Sequence, residues 1–187
     1  TALGAKVAVV DTEHGAASKY ADLFTFDVLE LTSFDPRTYM EAIRAAEAAG
    51  YDTLVIDSLS HAWAGSGGVL GLVDKISRQS KSGNNFSAWG DVTPLQNQLI
   101  ETILASKMHI IATMRSKMEY AQQRDENTGK TRVVKLGLQP VQRDSVEYEF
   151  DIIGEMDMDN VLTISKTRCP ELKSAVIERP GAALAQT

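Results

Sequence analysis

One stretch, residues 51–60 (YDTLVIDSLS), constrains the fold of this chain more than any other. Inside it, the apolar run 54–56 is unbroken and stops at Asp57 and Ser58. Such a run is typical of a parallel strand that is buried on both faces. Ligands bind at the carboxyl edge of sheets of this kind, where Asp57 could hold Mg²⁺ directly or through a water. The alternative is that Asp57 only caps the following helix.

Length and composition indicate what kind of protein contains this strand. A chain of 187 residues with 43% hydrophobic and 24% charged residues predicts a single globular domain over 1–187. The formal net charge of −6 does not attract nucleic acid as a whole, so any such binding needs local basic segments. Cys169 has no partner for an internal disulfide, which fits a reducing compartment. Since no apolar run reaches membrane-spanning length and no signal peptide opens the chain, we expect a cytoplasmic protein.

The segments before residue 51 alternate in type. Residues 6–11 (KVAVVD) predict a second strand that ends in an acid, and 26–31 predict another short strand. Asp35 is placed to cap a helix over 36–49, and Gly50 follows where a helix end favours glycine. This alternation predicts βαβ units, a parallel sheet and an α/β fold.

The second half of the chain predicts a different mixture. A helix over 69–76, a polar loop over 77–87 and an amphipathic helix over 91–106 precede an apolar strand over 108–113. Residues 119–131 are polar and predict an exposed loop or a hairpin tip. Antiparallel strands are predicted at 132–136, 149–156, 161–165 and 175–178.

The order of these segments resembles a known family. VVDTEHGAASKYA (9–21), the Walker B-like YDTLVIDS (51–58), a polar loop before a long helix, an apolar strand followed by basic residues, and TISKTRCPEL (163–172) look like a RecA-type ATPase core. The likeness is closest to phage-encoded RecA-like ATPases, a group that includes single-strand annealing proteins, and it runs from about residue 6 to 178. It implies a RecA-like three-layer sandwich with a mainly parallel central sheet and antiparallel strands toward the C-terminus.

The main departure from this family is that no GxxxxGK[ST] occurs in the sequence. That loop supplies the backbone cradle and the lysine for the β- and γ-phosphates of a nucleotide. Residues 1–4 look like the end of the helix that follows the loop in the family, so we expect the P-loop to lie upstream. The printed chain alone is then expected to hydrolyse ATP poorly.

The resemblance also implies roles for individual residues, with ATP and Mg²⁺ as cofactors. Glu13 matches the family's catalytic glutamate, which orients and deprotonates the attacking water, and Asp57 matches the metal-binding aspartate, with Ser58 beside it. Tyr20 matches a tyrosine that packs against the adenine. Thr113 stands where a polar residue senses the γ-phosphate. The plainer alternatives are a solvated loop acid for Glu13 and an ordinary tyrosine for Tyr20.

Cations complete the set of residues implied by the resemblance. Met114 replaces the glutamine that in the RecA prototype couples the nucleotide state to the following loop, so Arg115 or Lys117 is a candidate to take part in that coupling, with Arg115 also a candidate nucleotide-binding residue; the alternative is two solvated loop cations. Lys166 and Arg168 are two apart on a predicted strand, and in the family cations at these positions reach the ATP of a neighbouring subunit. Their alternative is a solvated sheet edge.

Two segments, 77–89 and 119–145, are candidates for binding single-stranded DNA, because the corresponding loops of RecA-like assemblies face the axis of a ring or filament. The candidate contacts are Lys81, Asn84, Arg124, Lys130, Arg132, Lys135 and Arg143. Acidic residues are interleaved with them, so ordinary solvated loops are the alternative.

Together these features predict a Mg²⁺-ATP-dependent RecA-like ATPase that acts on single-stranded DNA in recombination or annealing. Hydrolysis would take place between self-associated subunits, in the cytoplasm of a phage-infected or bacterial cell. The first alternative is a ring helicase or another DNA motor with the same core. The second is a non-catalytic assembly or binding module without a P-loop.

Overall fold

The structure of the chain, a computed structural model, describes residues 3–79, 85–124 and 131–187, with the backbone alone described for 120–124 and 131–137. The strands are β1 Val7–Asp11, β2 Asp27–Glu30, β3 Thr53–Asp57, β4 His109–Ala112, β5 Ser116–Arg124, β6 Thr131–Pro140, β7 Ile152–Met156, β8 Val161–Thr167 and β9 Val176–Glu178. The helices are α1 Pro36–Ala48, α2 Ser60–Ala64, α3 Val69–Gln79 and α4 Asn85–Ala105. Short 3₁₀ turns lie at Ala17–Tyr20, Val146–Glu149, Pro170–Leu172 and Leu184–Gln186.

The central sheet has four parallel strands in the order β2-β1-β3-β4. Two antiparallel sheets accompany it, the hairpin β5-β6 and the three-stranded β7-β8-β9. The predicted α/β class is therefore confirmed. In the register of the central sheet Asp11 lies opposite Asp57, so the acids that end β1 and β3 share the carboxyl edge.

The main core lies between one face of this sheet and helices α1 and α4. Side chains alternate between the two faces of a strand, and Leu54 and Ile56 from β3 point to the face where Tyr39 and Ile43 of α1 and Leu99 of α4 pack. Burying one large aliphatic side chain contributes about 1.5–3 kcal/mol. This contact therefore holds the carboxyl edge in place. Further members of the cluster are Val10, Leu31, Phe34, Met40, Ala42, Ala46, Leu59, Ala62, Leu95, Ile103 and Met108.

Helix α1 begins and ends as predicted. The Oδ1 atom of Asp35 accepts a hydrogen bond from the backbone N–H of Arg37 at 2.9 Å, and Pro36 occupies the first turn, where its missing N–H costs nothing. Gly50, just after the helix, has φ +71°, a left-handed conformation that suits glycine.

Strand β5 was missed by the sequence prediction. Residues 119–131 were predicted to form a loop or hairpin tip, but 116–124 are a strand that pairs antiparallel with β6. The prediction for β6 was also too short, since it covered only 132–136. The sequence 116–124 does not alternate regularly between apolar and polar residues, which is the pattern that reveals a half-buried strand. Residues 125–130, at its tip, lie outside the described residues.

Helices α3 and α4 are also longer than predicted. Helix α3 continues to Gln79 and α4 begins at Asn85, six residues before the predicted start at 91. Both ends of the predicted loop 77–87 are therefore helical, and residues 80–84 lie outside the described residues. The first turns of α4 include Ala88 and Val92, which pack on α3 rather than on the sheet, so they do not continue the stripe seen from 95 onward.

The C-terminal strands are shorter than predicted at two points. Residues 146–149 form a 3₁₀ turn, so β7 starts at 152 rather than 149, and β9 starts at 176 rather than 175. Strand β8 ends at Thr167, so Arg168 follows the strand instead of lying on it beside Lys166. Among the described helices, none has the length and apolar character needed to cross a bilayer.

Candidate active site

The carboxyl edge of the central sheet brings the ends of three strands together. At the carboxyl ends of β1 and β3, the backbone N–H of Thr12 donates to the carbonyl of Asp57 at 2.7 Å. At the carboxyl ends of β3 and β4, the backbone N–H of Thr113 donates to the carbonyl of Ile56 at 3.0 Å. Backbone pairing thus continues beyond the strands, and it places Glu13, Asp57 and Thr113 at one edge, as the sequence predicted.

Asp57 is oriented by the neighbouring strand end. The hydroxyl of Thr113 donates to its Oδ1 atom at 2.6 Å. Helix α2 takes Leu59 as its N-cap and has no side-chain capping bond. Asp57 therefore does not cap the next helix, which removes the plainer explanation of its position. The peptide bond that links Asp57 to Ser58 is cis.

The Glu13 carboxylate is enclosed by donors rather than solvated. Arg115 makes a two-pronged ion pair with it, since its Nε atom lies 3.1 Å from Oε1 and a terminal guanidinium nitrogen contacts Oε2. The Ser58 hydroxyl is 3.4 Å from Oε1, and Nδ1 of His61 is 3.8 Å from the same oxygen. The side chain of Glu13 is 24% exposed. The solvated-loop alternative for Glu13 does not describe this environment.

Asp11, the other strand-ending acid, has a structural role. It is 1% exposed, its Oδ1 accepts the backbone N–H of Glu13 at 2.7 Å, and its Oδ2 accepts that of Ala17 at 2.8 Å. Two charge-assisted bonds to backbone donors stabilise the turn between them, where His14 and Gly15 have positive φ. Asp11 therefore fixes the backbone of the Glu13 loop.

A largely buried polar network connects the loop that carries Glu13 to the segment that follows Asp57. The N–H of Ser58 donates to Oγ1 of Thr12 at 2.7 Å, and that oxygen lies 2.7 Å from Nδ1 of His61. The ring of Phe34 stacks on His61 with centroids 4.8 Å apart. Tyr39 donates to the carbonyl of Ser58 at 3.3 Å, and burial raises the pKa of Tyr39 so that its hydroxyl stays protonated.

Sequence analysis missed Thr12, His61 and Tyr39. Thr12 carried a weak signal, because it directly follows a strand that ends in an acid. His61 and Tyr39 carried none, since each looks like an ordinary residue of an amphipathic helix. Their link to the site depends on how the helices lie against the sheet.

Several other predicted residues lie apart from this cluster. Tyr20 is on the 3₁₀ turn after β1 with 55% of its surface exposed. The ammonium of Lys166 donates to the carbonyl oxygens of Tyr148 and Phe150, the latter at 2.7 Å. Arg168 pairs with Asp151 at 2.6 Å, and both side chains are largely exposed. The structure gives both predicted interface cations partners within their own chain.

The predicted nucleic-acid contacts are described only in part. Lys81, Asn84 and Lys130 lie outside the described residues. The strands β5 and β6 carry Arg124, Arg132 and Lys135, whose side chains also fall outside the description. Arg143 follows β6 and donates from its guanidinium to Oδ1 of Asn97 on α4 at 2.7 Å.

The residues at this edge suit Mg²⁺ and a phosphate chain. Mg²⁺ is commonly held by one or two carboxylates together with phosphate oxygens and waters. Asp57 supplies a carboxylate held by Thr113, with Ser58 next to it. Arg115, the predicted phosphate-binding cation, is paired with Glu13 in this structure. The oxygen ligands at Asp57 are of the kind that hold Mg²⁺ together with phosphate oxygens.

Comparison with known proteins agrees with this chemistry. The family model described as AAA domain matches residues 1–175. No curated protein and no solved structure matches the chain. The match covers the whole central sheet, helices α1 to α4 and every described strand except β9. The chain therefore belongs to the AAA domain family, a family of nucleotide-binding P-loop ATPases.

Proposed function

We propose that this chain is the core of a Mg²⁺-dependent ATPase whose reaction takes place at the edge formed by the ends of β1, β3 and β4. The observation that carries the proposal is the convergence of Glu13, Asp57 and Thr113 at that edge through backbone pairing between adjacent strands. Phosphoryl transfer needs positioning and charge stabilisation more than covalent chemistry. This edge has residue types suited to both.

Each residue has a distinct task in the proposal. Asp57, oriented by Thr113, would hold the Mg²⁺ ion, which when bound neutralises charge on the phosphates. Glu13 accepts a proton from the attacking water and orients it. Its backbone is held by Asp11, so the carboxylate needs little reorganisation apart from losing its present partners. Thr113 faces the terminal phosphate as a hydroxyl donor.

The P-loop comes from a segment outside residues 1–187 in this proposal. The sequence contains no GxxxxGK[ST], and among the described strands β4 is hydrogen bonded only to β3. Ile111, which points away from the main core, is 43% exposed on β4. An exposed apolar edge strand favours pairing with a further strand. A P-loop strand paired there would lie next to Thr113 and one strand away from Asp57.

Assembly and DNA binding extend the proposal. The ATP site lies between subunits of a ring or filament, with Lys166 and Arg168 of a neighbour completing it, and single-stranded DNA contacts the β5–β6 hairpin. An exposed ion pair contributes only about 0–1 kcal/mol, so a neighbour's phosphate can readily replace Asp151 as the partner of Arg168. Lys166 would first have to leave its carbonyl partners. The resulting activity is ATP-dependent recombination or annealing.

Calorimetry of Mg²⁺-ATP binding tests the site. A longer protein with a P-loop before residue 1 should bind Mg²⁺-ATP, while residues 1–187 alone should bind it weakly or not at all. Asp57→Asn in the longer protein should weaken the Mg²⁺-dependent part of the affinity by about tenfold or more, because a metal ligand is lost. The matched control is Asp74→Asn on the exposed side of α3, which should leave binding unchanged.

Two results would contradict the assignment. Equal affinity of the two chains for Mg²⁺-ATP would reject the P-loop proposal. If neither chain binds the nucleotide, the remaining function is the non-catalytic binding module.

A further inference from the structure

The carboxylate proposed as the catalytic base is already paired at both oxygens. Arg115 contacts both oxygens of Glu13, and Ser58 lies near one of them. Two-pronged bonds between arginine and a carboxylate are among the stronger polar contacts in proteins, and they fix the orientation of the carboxylate. While this ion pair lasts, Glu13 is poorly placed to accept a proton from water.

Arg115 is also one end of the β5–β6 hairpin. It directly precedes Ser116, the first residue of β5, and its backbone carbonyl accepts the N–H of Val141, the first residue after β6, at 2.7 Å. Its own N–H donates to Oγ of Ser60 at 2.9 Å. The position of its guanidinium therefore depends on how the hairpin is anchored.

The other end of the hairpin is anchored to the same loop. Gln142 is 5% exposed, and its Nε2 donates to the carbonyl of Leu59 at 3.0 Å. Its Oε1 accepts from Nε2 of Gln96 on α4 at 3.0 Å and from the N–H of Arg143 at 2.9 Å. Both ends of the hairpin thus bind residues 59–60, just after Asp57. A shift of the hairpin against this loop moves Arg115 relative to Glu13.

From these contacts we infer that Arg115 is a positioning residue that holds Glu13 in an inhibitory ion pair, and that displacement of the β5–β6 hairpin releases the glutamate. The inference rests on the proposed role of Glu13 as the base. The hairpin is the longest antiparallel pair in the described part of the chain, and both of its ends are hydrogen bonded to the segment that follows Asp57. The ion pair makes hydrolysis slow until the hairpin moves.

Hydrogen exchange at the arginine side chain tests the contact directly. In the ¹⁵N-labelled full chain, the Nε–H signal of Arg115, assigned by its loss in Arg115→Lys, should exchange slowly with solvent. Glu13→Gln should speed this exchange by about tenfold or more, because the charge-assisted bond is lost. Ser60→Ala, which removes one anchor of the hairpin, should also speed it. Thr102→Ala, which removes a hydroxyl bond within α4, should not.

The outcomes of the exchange experiment separate the two parts of the inference. Unchanged exchange in Glu13→Gln would show that the ion pair does not form in solution and would overturn the inference. Unchanged exchange in Ser60→Ala, with the Glu13→Gln effect present, would overturn the coupling to the hairpin.

Kinetics of the intact, P-loop-containing protein test the inhibitory role. Arg115→Ala should raise the basal kcat severalfold with little change in KM, and Arg115→Lys, which keeps the charge but not the two-pronged geometry, should fall between it and the wild type. A loss of hydrolysis in Arg115→Ala would overturn inhibition and assign Arg115 to the phosphates. If Glu13→Gln hydrolyses ATP at the wild-type rate, the proposed function fails, whereas the exchange experiment still reports on the ion pair.

Discussion

Asp11 and Asp57 lie opposite each other in the sheet, yet their partners give them different roles. Asp11 is buried and its two oxygens accept backbone N–H groups, so it holds the loop between β1 and the 3₁₀ turn at Ala17–Tyr20. Asp57 is less buried, and a hydroxyl orients it. Each oxygen of Asp11 already accepts a backbone N–H and the carboxylate is almost fully buried, whereas Asp57 is held at one oxygen by a hydroxyl and is partly accessible to a metal ion. The partners thus favour Asp57 as the metal ligand.

Asp52, before β3, couples the start of the fold to pH. Its Oδ2 accepts the N–H groups of Lys6 and Ala5, both at 2.9 Å, and these bonds hold the pKa of Asp52 below its ordinary value. A lowered pKa in the folded state means that the stabilisation is present above the unfolded-state pKa of about 4 and is lost as the pH falls through the folded-state value. Asp52→Asn should therefore lower Tm at pH 7, and the difference from the wild type should shrink as the pH falls below about 4.

Thermal unfolding at a series of pH values checks this, with Asp74→Asn on α3 as the control. A difference in Tm that stays constant from pH 7 to strongly acidic solution would show that the effect of Asp52 does not come from its charge.

Which site residues the sequence could reveal depends on how local their signal is. Glu13, Asp57 and Thr113 each follow an apolar run, so the strand pattern itself points to them. Arg115 was only one of two candidate cations, and its pairing with Glu13, 102 positions away, was not predicted. That contact depends on the order and register of strands, which periodicity does not determine. For the same reason His61 was missed.

At the scale of elements, the segments with two independent signals were predicted best. Helix α1 has an apolar face, a capping aspartate and a terminal glycine, and the structure has it at nearly the predicted bounds. Strands β1 and β3 combine apolar runs with terminal acids. Strand β5, which pairs with β6 along nine residues, has neither signal. The β5–β6 hairpin could therefore be identified only from the structure.

The two predicted interface cations at the end of β8 have different surroundings in the structure. Lys166, on β8, reaches the carbonyl oxygens of the turn before β7 and so ties that turn to the three-stranded sheet. Arg168, just past the strand, makes only an exposed ion pair. Of the two predicted interface cations, Arg168 is thus the freer to serve another subunit, and Lys166 has a structural task in its own chain.

At the scale of the whole molecule, the proposal places each ATP site between two subunits. Replacing Lys166 and Arg168 together by alanine in the intact protein should abolish hydrolysis yet leave ATP binding to the isolated subunit nearly intact. Mixing this variant with Glu13→Gln should restore partial activity, since some interfaces then join an intact glutamate to an intact cation pair. Cations that stabilise the transition state can contribute several kcal/mol, so the recovered rate should exceed background.

The control for this mixture is the single change Arg168→Ala, which removes an exposed ion pair and leaves the Lys166 anchor in place. It should reduce hydrolysis without lowering Tm noticeably. If the two variants co-assemble but the mixture is as inactive as each variant alone, Lys166 and Arg168 do not serve a neighbouring ATP site.

If the edge formed by β1, β3 and β4 hydrolyses Mg²⁺-ATP with Glu13 as the base, removal of that carboxylate should stop the reaction without preventing nucleotide binding. The most direct measurement is steady-state phosphate release by the chain extended with the proposed P-loop segment and by its Glu13→Gln variant, with Glu41→Gln on the exposed side of α1 as the control. We expect Glu13→Gln to lower kcat by about 10²–10⁴-fold, because a general base is lost, with Mg²⁺-ATP affinity nearly unchanged. Glu41→Gln should match the wild type. Phosphate release by Glu13→Gln at the wild-type rate would contradict the account.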